Sequence, residues 1–307
     1  MPKLRKTDLE VSEVCFGGNV FGWTADQIES FKLLDRFIEL GGNFIDTADV
    51  YSAWKEGNSG GESETIIGNY LKLKGNRSDM VIATKVAMLE SRKGLSKANI
   101  MAACNDSLER LQTDYIDIYY AHSDDLDTDL TETLEGFNTL VESGKVRYIA
   151  ASNYSYERLG QALDISKQNG WAKYIALQNR YSLVARQPYE SEGAKSVEDY
   201  RISGLPYSTL GSGFLSGKYS AGAKVDSARS EGVTNNYLND GNLALLKRLE
   251  DVAREYKASN TAVALAWLRR QPGVTVPLAS GRTIEQLDAL METVELTQQE
   301  LDFIAGA

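Results

Sequence analysis

The 307-residue chain is poor in the residues that build metal and disulfide sites. It has two cysteines and one histidine. A structural zinc site needs four Cys or His ligands, which this chain is poorly furnished to supply. No metal site is expected. There is no C-x-x-C, so Cys15 and Cys104, each in an apolar-periodic segment, read as buried free thiols in a reducing cytoplasm. No apolar run approaches the ~20 residues of a membrane span. The stretch Met1 to Glu10 lacks the apolar core of a signal peptide, so a cytoplasmic location is expected. Positive charge is also short, with 33 Lys and Arg against 43 Asp and Glu for a net charge of −10. A nucleic-acid surface is therefore not expected, nor is a membrane partner. Long low-complexity linkers are absent. With 42% apolar and 25% charged residues, the composition is that of an ordinary globular protein.

Short apolar strands alternate with longer amphipathic stretches. The strand candidates are Val14–Phe16, Asn43–Asp46, Val81–Lys85, Tyr115–Ala121, Val146–Ala151, Tyr174–Gln178, Arg201–Tyr207 and Val274–Pro277. Between them, apolar residues recur near a period of 3.6. Thr24 opens such a helical pattern, and so do Ser96, Asp129 and Ser155. Two further helices, Ala244–Glu255 and Ala262–Arg270, precede the last strand. Parallel strands need crossovers, so repeated β-then-α units imply a parallel sheet. Eight units in a chain of this length suit a closed (β/α)8 barrel. A doubly wound open sheet is the alternative. Such a sheet often carries a Gly-rich first turn, and Gly17-Gly18-Asn19 is not G-x-G-x-x-G. The later string from Gly211 to Gly217 reads as a loop after the seventh strand, and residues 222–227 read as a surface loop.

Chemistry in a barrel sits at the C-terminal ends of its strands. Strand two ends at Asp46, with Tyr51 shortly after. Strand three ends at Lys85, strand four at His122, strand five at Ser152 and Asn153, strand six at Gln178, and strand seven at Tyr207 and Ser208. Each has a bland reading alone: an Asp caps a turn, a Lys snorkels, a lone His or Tyr packs. Together they are more informative, because three neighbouring strands deliver Asp, Lys and the sole His to one face. A Tyr hydroxyl titrates near 10, and a nearby ammonium is expected to lower that value. Asp46 would hold Lys85 charged, and a neutral His122 would hydrogen-bond a carbonyl oxygen. Such a set protonates an alkoxide as it forms, with hydride coming from a nicotinamide.

The segment Asn43 to Tyr51, reading NFIDTADVY, resembles the Asp/Tyr signature of the aldo/keto reductase superfamily. Gly61-Glu62-Ser63-Glu64 and Ile67-Gly68 follow at the usual distance. Leu108 to Asp117 resembles the second signature, leading into His122, and Gly144 to Ile149 before Ser152-Asn153 is also characteristic. The resemblance runs from Leu4-Arg5-Lys6 to the last helix. It is nearest to bacterial members by the potassium-channel β-subunit branch. It implies a single α/β domain over residues 1–307, a (β/α)8 TIM barrel with an N-terminal β-hairpin and extra helices. It implies a catalytic tetrad of Asp46, Tyr51, Lys85 and His122, with Tyr51 as the acid in reduction.

The same resemblance implies NADP(H) as cofactor. Ser152, Asn153 and Gln178 would hold the carboxamide, and Tyr207 would stack on the nicotinamide. Ser208 to Gly213, including Leu210 and Gly211, would hold the pyrophosphate with Lys218. Arg282 and Gln286 would reach the 2′-phosphate, which needs a cation. The chain departs from many relatives at Tyr120, often Gln, and at Ala289-Leu290, often Glu-Asn.

Trp23, Trp54 and Asp124 are candidates for the substrate pocket, where aromatic faces suit a small ring or a sugar. The expected partner is a small carbonyl substrate. Two other functions share these residues. One is a cofactor-binding regulatory subunit with slow turnover. The other is a Schiff-base aldolase with Lys85 as nucleophile, which needs an uncharged lysine. Oligomeric state is not legible in the sequence.

Overall fold

The fold is given by a computed structural model that describes residues 1–219 and 230–306. The loop expected at 222–227 lies outside the described residues. Eight strands are present among them. They are β1 (Cys15–Gly17), β2 (Phe44–Asp46), β3 (Val81–Val86), β4 (Ile116–Ala121), β5 (Val146–Ser152), β6 (Tyr174–Gln178), β7 (Ser203–Gly204) and β8 (Leu278–Ala279). All pair in parallel, in the order β7-β6-β5-β4-β3-β2-β1-β8. The two outer strands of this order also meet. Thr275 N and Val276 N donate to Gly204 O at 2.8 and 3.2 Å, and Leu278 N donates to Pro206 O at 2.8 Å. The sheet is therefore curled and TIM-barrel-like.

Helices α1 (Gln27–Glu39), α2 (Glu62–Lys74), α3 (Lys97–Leu111), α4 (Leu130–Glu142), α5 (Tyr156–Asn169) and α6 (Ala194–Asp199) cross between the first seven strands. Helices α7 (Ser230–Tyr237), α8 (Asp240–Tyr256), α9 (Asn260–Arg269), α10 (Ile284–Met291) and α11 (Gln298–Ala305) complete the described chain. Ser96, Asp129 and Ser155 cap their helices as expected, each side chain accepting from a backbone N–H of the first turn. Thr24 does not. Asp26 caps α1 by accepting from Glu29 N, because Thr24 N is still held in the preceding turn on Val20 O.

The strand period sorts side chains between two cores. Phe44, Val81, Ala83, Ile118 and Tyr120 point into the curled sheet, joined by Leu4, Leu9 and Val11 of the N-terminal segment. Ile45, Ile82 and Tyr119 point outward and pack on the helices. The same parity puts Asp46 and Lys85 inside the sheet, one step beyond its apolar filling.

Two expectations need correction. Strand eight starts at Leu278 rather than at Val274. Pro277 has no N–H for a ladder, and regular pairing with Cys15 begins one residue later. Where the resemblance implies an N-terminal β-hairpin, there is one antiparallel bridge, Lys3 to Glu10. Leu4 N donates to Leu9 O at 3.0 Å and Val11 N to Pro2 O at 2.9 Å, so the segment folds back on itself around that single bridge, without two regular strands.

Candidate active site

At the C-terminal ends of the strands a cleft of about 400 Å³ opens. Under it lies a buried polar cluster. Asp46 and Lys85 are both fully buried, with Lys85 Nζ 2.5 Å from Asp46 Oδ2. Lys85 Nζ also donates to Thr47 O at 2.7 Å and to the Tyr51 hydroxyl at 3.0 Å. All three ammonium hydrogens are thereby engaged. Tyr51 in turn donates to Asp46 Oδ2 at 3.2 Å, and Gln178 Nε2 donates to Asp46 Oδ1 at 3.0 Å.

This wiring reverses one expectation. The Tyr51 hydroxyl is held well above its ordinary value by burial and by the Asp46 carboxylate, to which it donates. The Lys85 ammonium 3.0 Å away does not outweigh these two effects. Tyr51 is thus a phenol that keeps its proton. Its ring faces the cleft, with the His122 ring 5.9 Å away and edge-on. Burial and the Lys85 charge hold His122 well below its ordinary value, so the imidazole is neutral near neutral pH. His122 Nδ1 is buried and makes no hydrogen bond.

Along the cleft, Ser152 Oγ donates to Gln178 O at 2.8 Å. Asn153 takes the left-handed conformation, which Asn tolerates better than most residues. Its side chain bridges His122 O and the Tyr207 hydroxyl, both at 2.9 Å. Ser208, Leu210, Gly213 and Lys218 line the cleft further on, with Gly211 packed behind them. Ser208, Gly211, Ser212 and Gly213 all have positive φ, and the turn is closed by Gly211 N donating to Ser208 O at 2.9 Å and Gly213 N to Leu210 O at 3.0 Å. A Cβ added to Gly213 would lie 3.4 Å from Lys218 Nζ, so the ammonium stands over that turn. Arg282 and Gln286 also line the cleft, and Gln286 Oε1 accepts from Arg282 N at 2.9 Å. Among the described residues, no Asp or Glu lines the cleft.

The substrate-pocket candidates separate. Trp23 lines the cleft. Trp54 is half exposed and packs edge-on against Trp23 at 5.5 Å and against Tyr51 at 6.1 Å. Asp124 does not line the cleft, because its carboxylate is held by Arg158 at 2.9 Å. Asn19 and Met88 line it and were not candidates. Asn19 follows strand one, so the strand-end logic could have found it. Met88 had no chemical signal. No group of His, Cys, Asp and Glu among the described residues could hold a metal ion. No described helix is long and apolar enough to cross a membrane.

The family model described as "Aldo/keto reductase family" matches residues 13–307. The "Uncharacterized oxidoreductase YrpG" of Bacillus subtilis (strain 168) is 33% identical, over 96% of this chain and 90% of that protein. A "Probable voltage-gated potassium channel subunit beta" of Oryza sativa subsp. japonica is 30% identical, over 98% and 94%. An "Aryl-alcohol dehydrogenase [NADP(+)]" of Phanerodontia chrysosporium is 28% identical, over 92% and 76%. With a family match over residues 13–307, and with Asp46, Tyr51, Lys85 and His122 gathered at one mouth of a parallel barrel-like sheet, the chain belongs to the aldo/keto reductase family.

Proposed function

We propose that the protein is an NADP(H)-dependent oxidoreductase that reduces an aldehyde, ketone or sugar-like carbonyl to an alcohol. We place it in the cytoplasm, as one domain over residues 1–307. The observation that carries this reading is the Tyr51 hydroxyl, set between Lys85 and Asp46 at a cleft that no Asp or Glu lines among the described residues.

The cleft suits the cofactor. Lys218 and Arg282 are cations that line it, where phosphates need charge. Ser152, Asn153, Gln178 and Tyr207 would hold the nicotinamide end, and Ser208, Leu210, Gly211 and Gly213 the pyrophosphate. Arg282 and Gln286 would hold the 2′-phosphate. The bound reduced cofactor supplies a hydride to the carbonyl carbon.

The chain's own residues handle the proton. Tyr51 gives its hydroxyl hydrogen to the carbonyl oxygen as negative charge builds there. The phenolate left behind faces Lys85 Nζ at 3.0 Å, which stabilises it. Asp46 keeps Lys85 in place, and neutral His122 orients the carbonyl oxygen. Trp23, backed by Trp54, gives the substrate an aromatic wall.

The test is a fluorescence titration with NADPH and with NADH, followed by NADPH oxidation with aldehydes, ketoses and dicarbonyls. Selective NADPH binding with turnover of a carbonyl supports the reading. Tight binding with negligible turnover would instead favour a cofactor-binding regulatory subunit, a reading that the channel-subunit relative keeps open. The Schiff-base alternative is disfavoured because all three Lys85 hydrogens are engaged.

A further inference from the structure

Asp49 sits between Asp46 and Tyr51 on the loop that leaves β2. It is fully buried, yet neither of its carboxyl oxygens has a hydrogen-bond partner. Buried carboxylates are normally paired, so this exception needs a reason. The groups that act on it are Glu64 on α2, Arg110 on α3, the backbone N–H of Val50 and Lys85 on β3. Tyr119 on β4 faces the same space, and its buried hydroxyl is also unpartnered. Both cations are committed elsewhere. Arg110 Nε is 2.6 Å from Glu64 Oε2, and Lys85 is bound to Asp46. Thr84 gives its hydroxyl to Glu64 Oε1 at 2.5 Å. Two carboxyls thus share a dry space with one guanidinium, which gives its Nε to Glu64 and its Nη2 to Ser107 Oγ. Asp49 is left to hold a proton. Burial and the Glu64 charge push its carboxyl up to about 8.

We propose that Asp49 is a positioning residue for Tyr51: its protonated carboxyl lets the loop from Asp46 to Ser52 lie buried against β3, and loss of that proton displaces the loop. The inference rests on the reductase reading only for its kinetic consequence. The loop is held by backbone bonds of Thr47 N to Ala83 O and Asp49 N to Lys85 O, and by Ser52 Oγ on Phe21 O. An ionised Asp49 has only the backbone N–H of Val50 beside it and must move toward water or toward Arg110. Either shift carries Tyr51 away from Lys85 and Asp46, and a misplacement near 1 Å is enough to slow a reaction. The product of ionisation is a free proton passed to solvent, so no further reactant is involved.

Trp54 reports the loop without any substrate, because its ring packs on Tyr51 and Trp23. The ligand-free protein is titrated by tryptophan fluorescence between pH 6 and 9.5, as wild type, Asp49→Asn and Trp54→Phe. We expect a wild-type transition with a midpoint at about 8, absent from both variants. No transition in the wild type, or an unchanged one in Asp49→Asn, overturns the proposal. In parallel, the ratio of kcat at pH 9.5 to kcat at pH 6.5 is measured for NADPH-dependent reduction of a carbonyl that the enzyme accepts. We expect the Asp49→Asn ratio to exceed the wild-type ratio by about tenfold. Equal ratios show a merely structural Asp49 and overturn the proposal, even if Asp49→Asn resists urea better. If no carbonyl is turned over, the reductase reading fails, and the fluorescence arm still decides whether Asp49 controls the loop.

Discussion

Lys85 Nζ and Asp46 Oδ2 stand 2.5 Å apart with both side chains wholly out of solvent. Isolated charges do not survive such burial, whereas a paired and hydrogen-bonded set does. Removing one partner strands the other. Lys85→Met should therefore cost about 3–5 kcal/mol of unfolding free energy. The double variant Lys85→Met with Asp46→Leu should recover much of that loss, since no charge is then orphaned. Urea denaturation of the two variants checks this. A Lys85→Met protein as stable as wild type would mean that the pair is not dry in solution.

Tyr51→Phe keeps the ring against Trp54 and His122 and removes only the proton. Carbonyl reduction should fall by about 10²- to 10⁴-fold. NADPH affinity should hold, because in the proposed reaction the lost hydroxyl would act on the substrate oxygen. Stopped-flow reduction and fluorescence titration read the two effects separately. Reduction near the wild-type rate would remove Tyr51 from the acid's role.

Strand-end reasoning found Asp46, Lys85 and His122 because each ends an apolar run whose inward parity is visible in the sequence. It did not find the state of Tyr51. That depends on Asp46 accepting from both Tyr51 and Lys85, a three-body arrangement that only folding creates. Asp49 was invisible for a similar reason, since having no partner is a property of the packed chain. Asp124 looked like pocket lining from its place after strand four, but Arg158 reaches it from α5 across 34 residues. The position of β8 was obscured by Pro277, which sits in an apolar run yet cannot donate to a ladder.

Arg282 is exposed and lines the cleft, just before the cap of α10. NADPH differs from NADH by a 2′-phosphate, so a cation there should discriminate between them. Arg282→Ala should weaken NADPH by roughly 1–3 kcal/mol and NADH by much less, as for a charge-assisted bond. Paired titrations of the variant and wild type with both cofactors check it. Equal weakening of both would place Arg282 away from that phosphate.

His122 is the only histidine in the chain, so its imidazole gives a single set of NMR signals. Burial and the nearby Lys85 charge both disfavour the imidazolium. The ring carbons should show no titration between pH 8 and the ordinary histidine range near 6.5, moving only at more acidic pH. The linkage has a definite sign. Below about 6.5 an unfolded chain binds a proton at this position and the folded chain does not, so the contribution to stability is complete above that pH and is lost as pH falls. His122→Gln removes that dependence, and its urea midpoint should decline less than that of wild type between pH 7 and pH 5. A wild-type imidazole titrating at 6.5 would mean that solvent reaches the ring. Its neutral state as an orienting donor would then be lost at mildly acidic pH, and with it the steadiness of kcat/KM that a buried neutral His122 implies over that range.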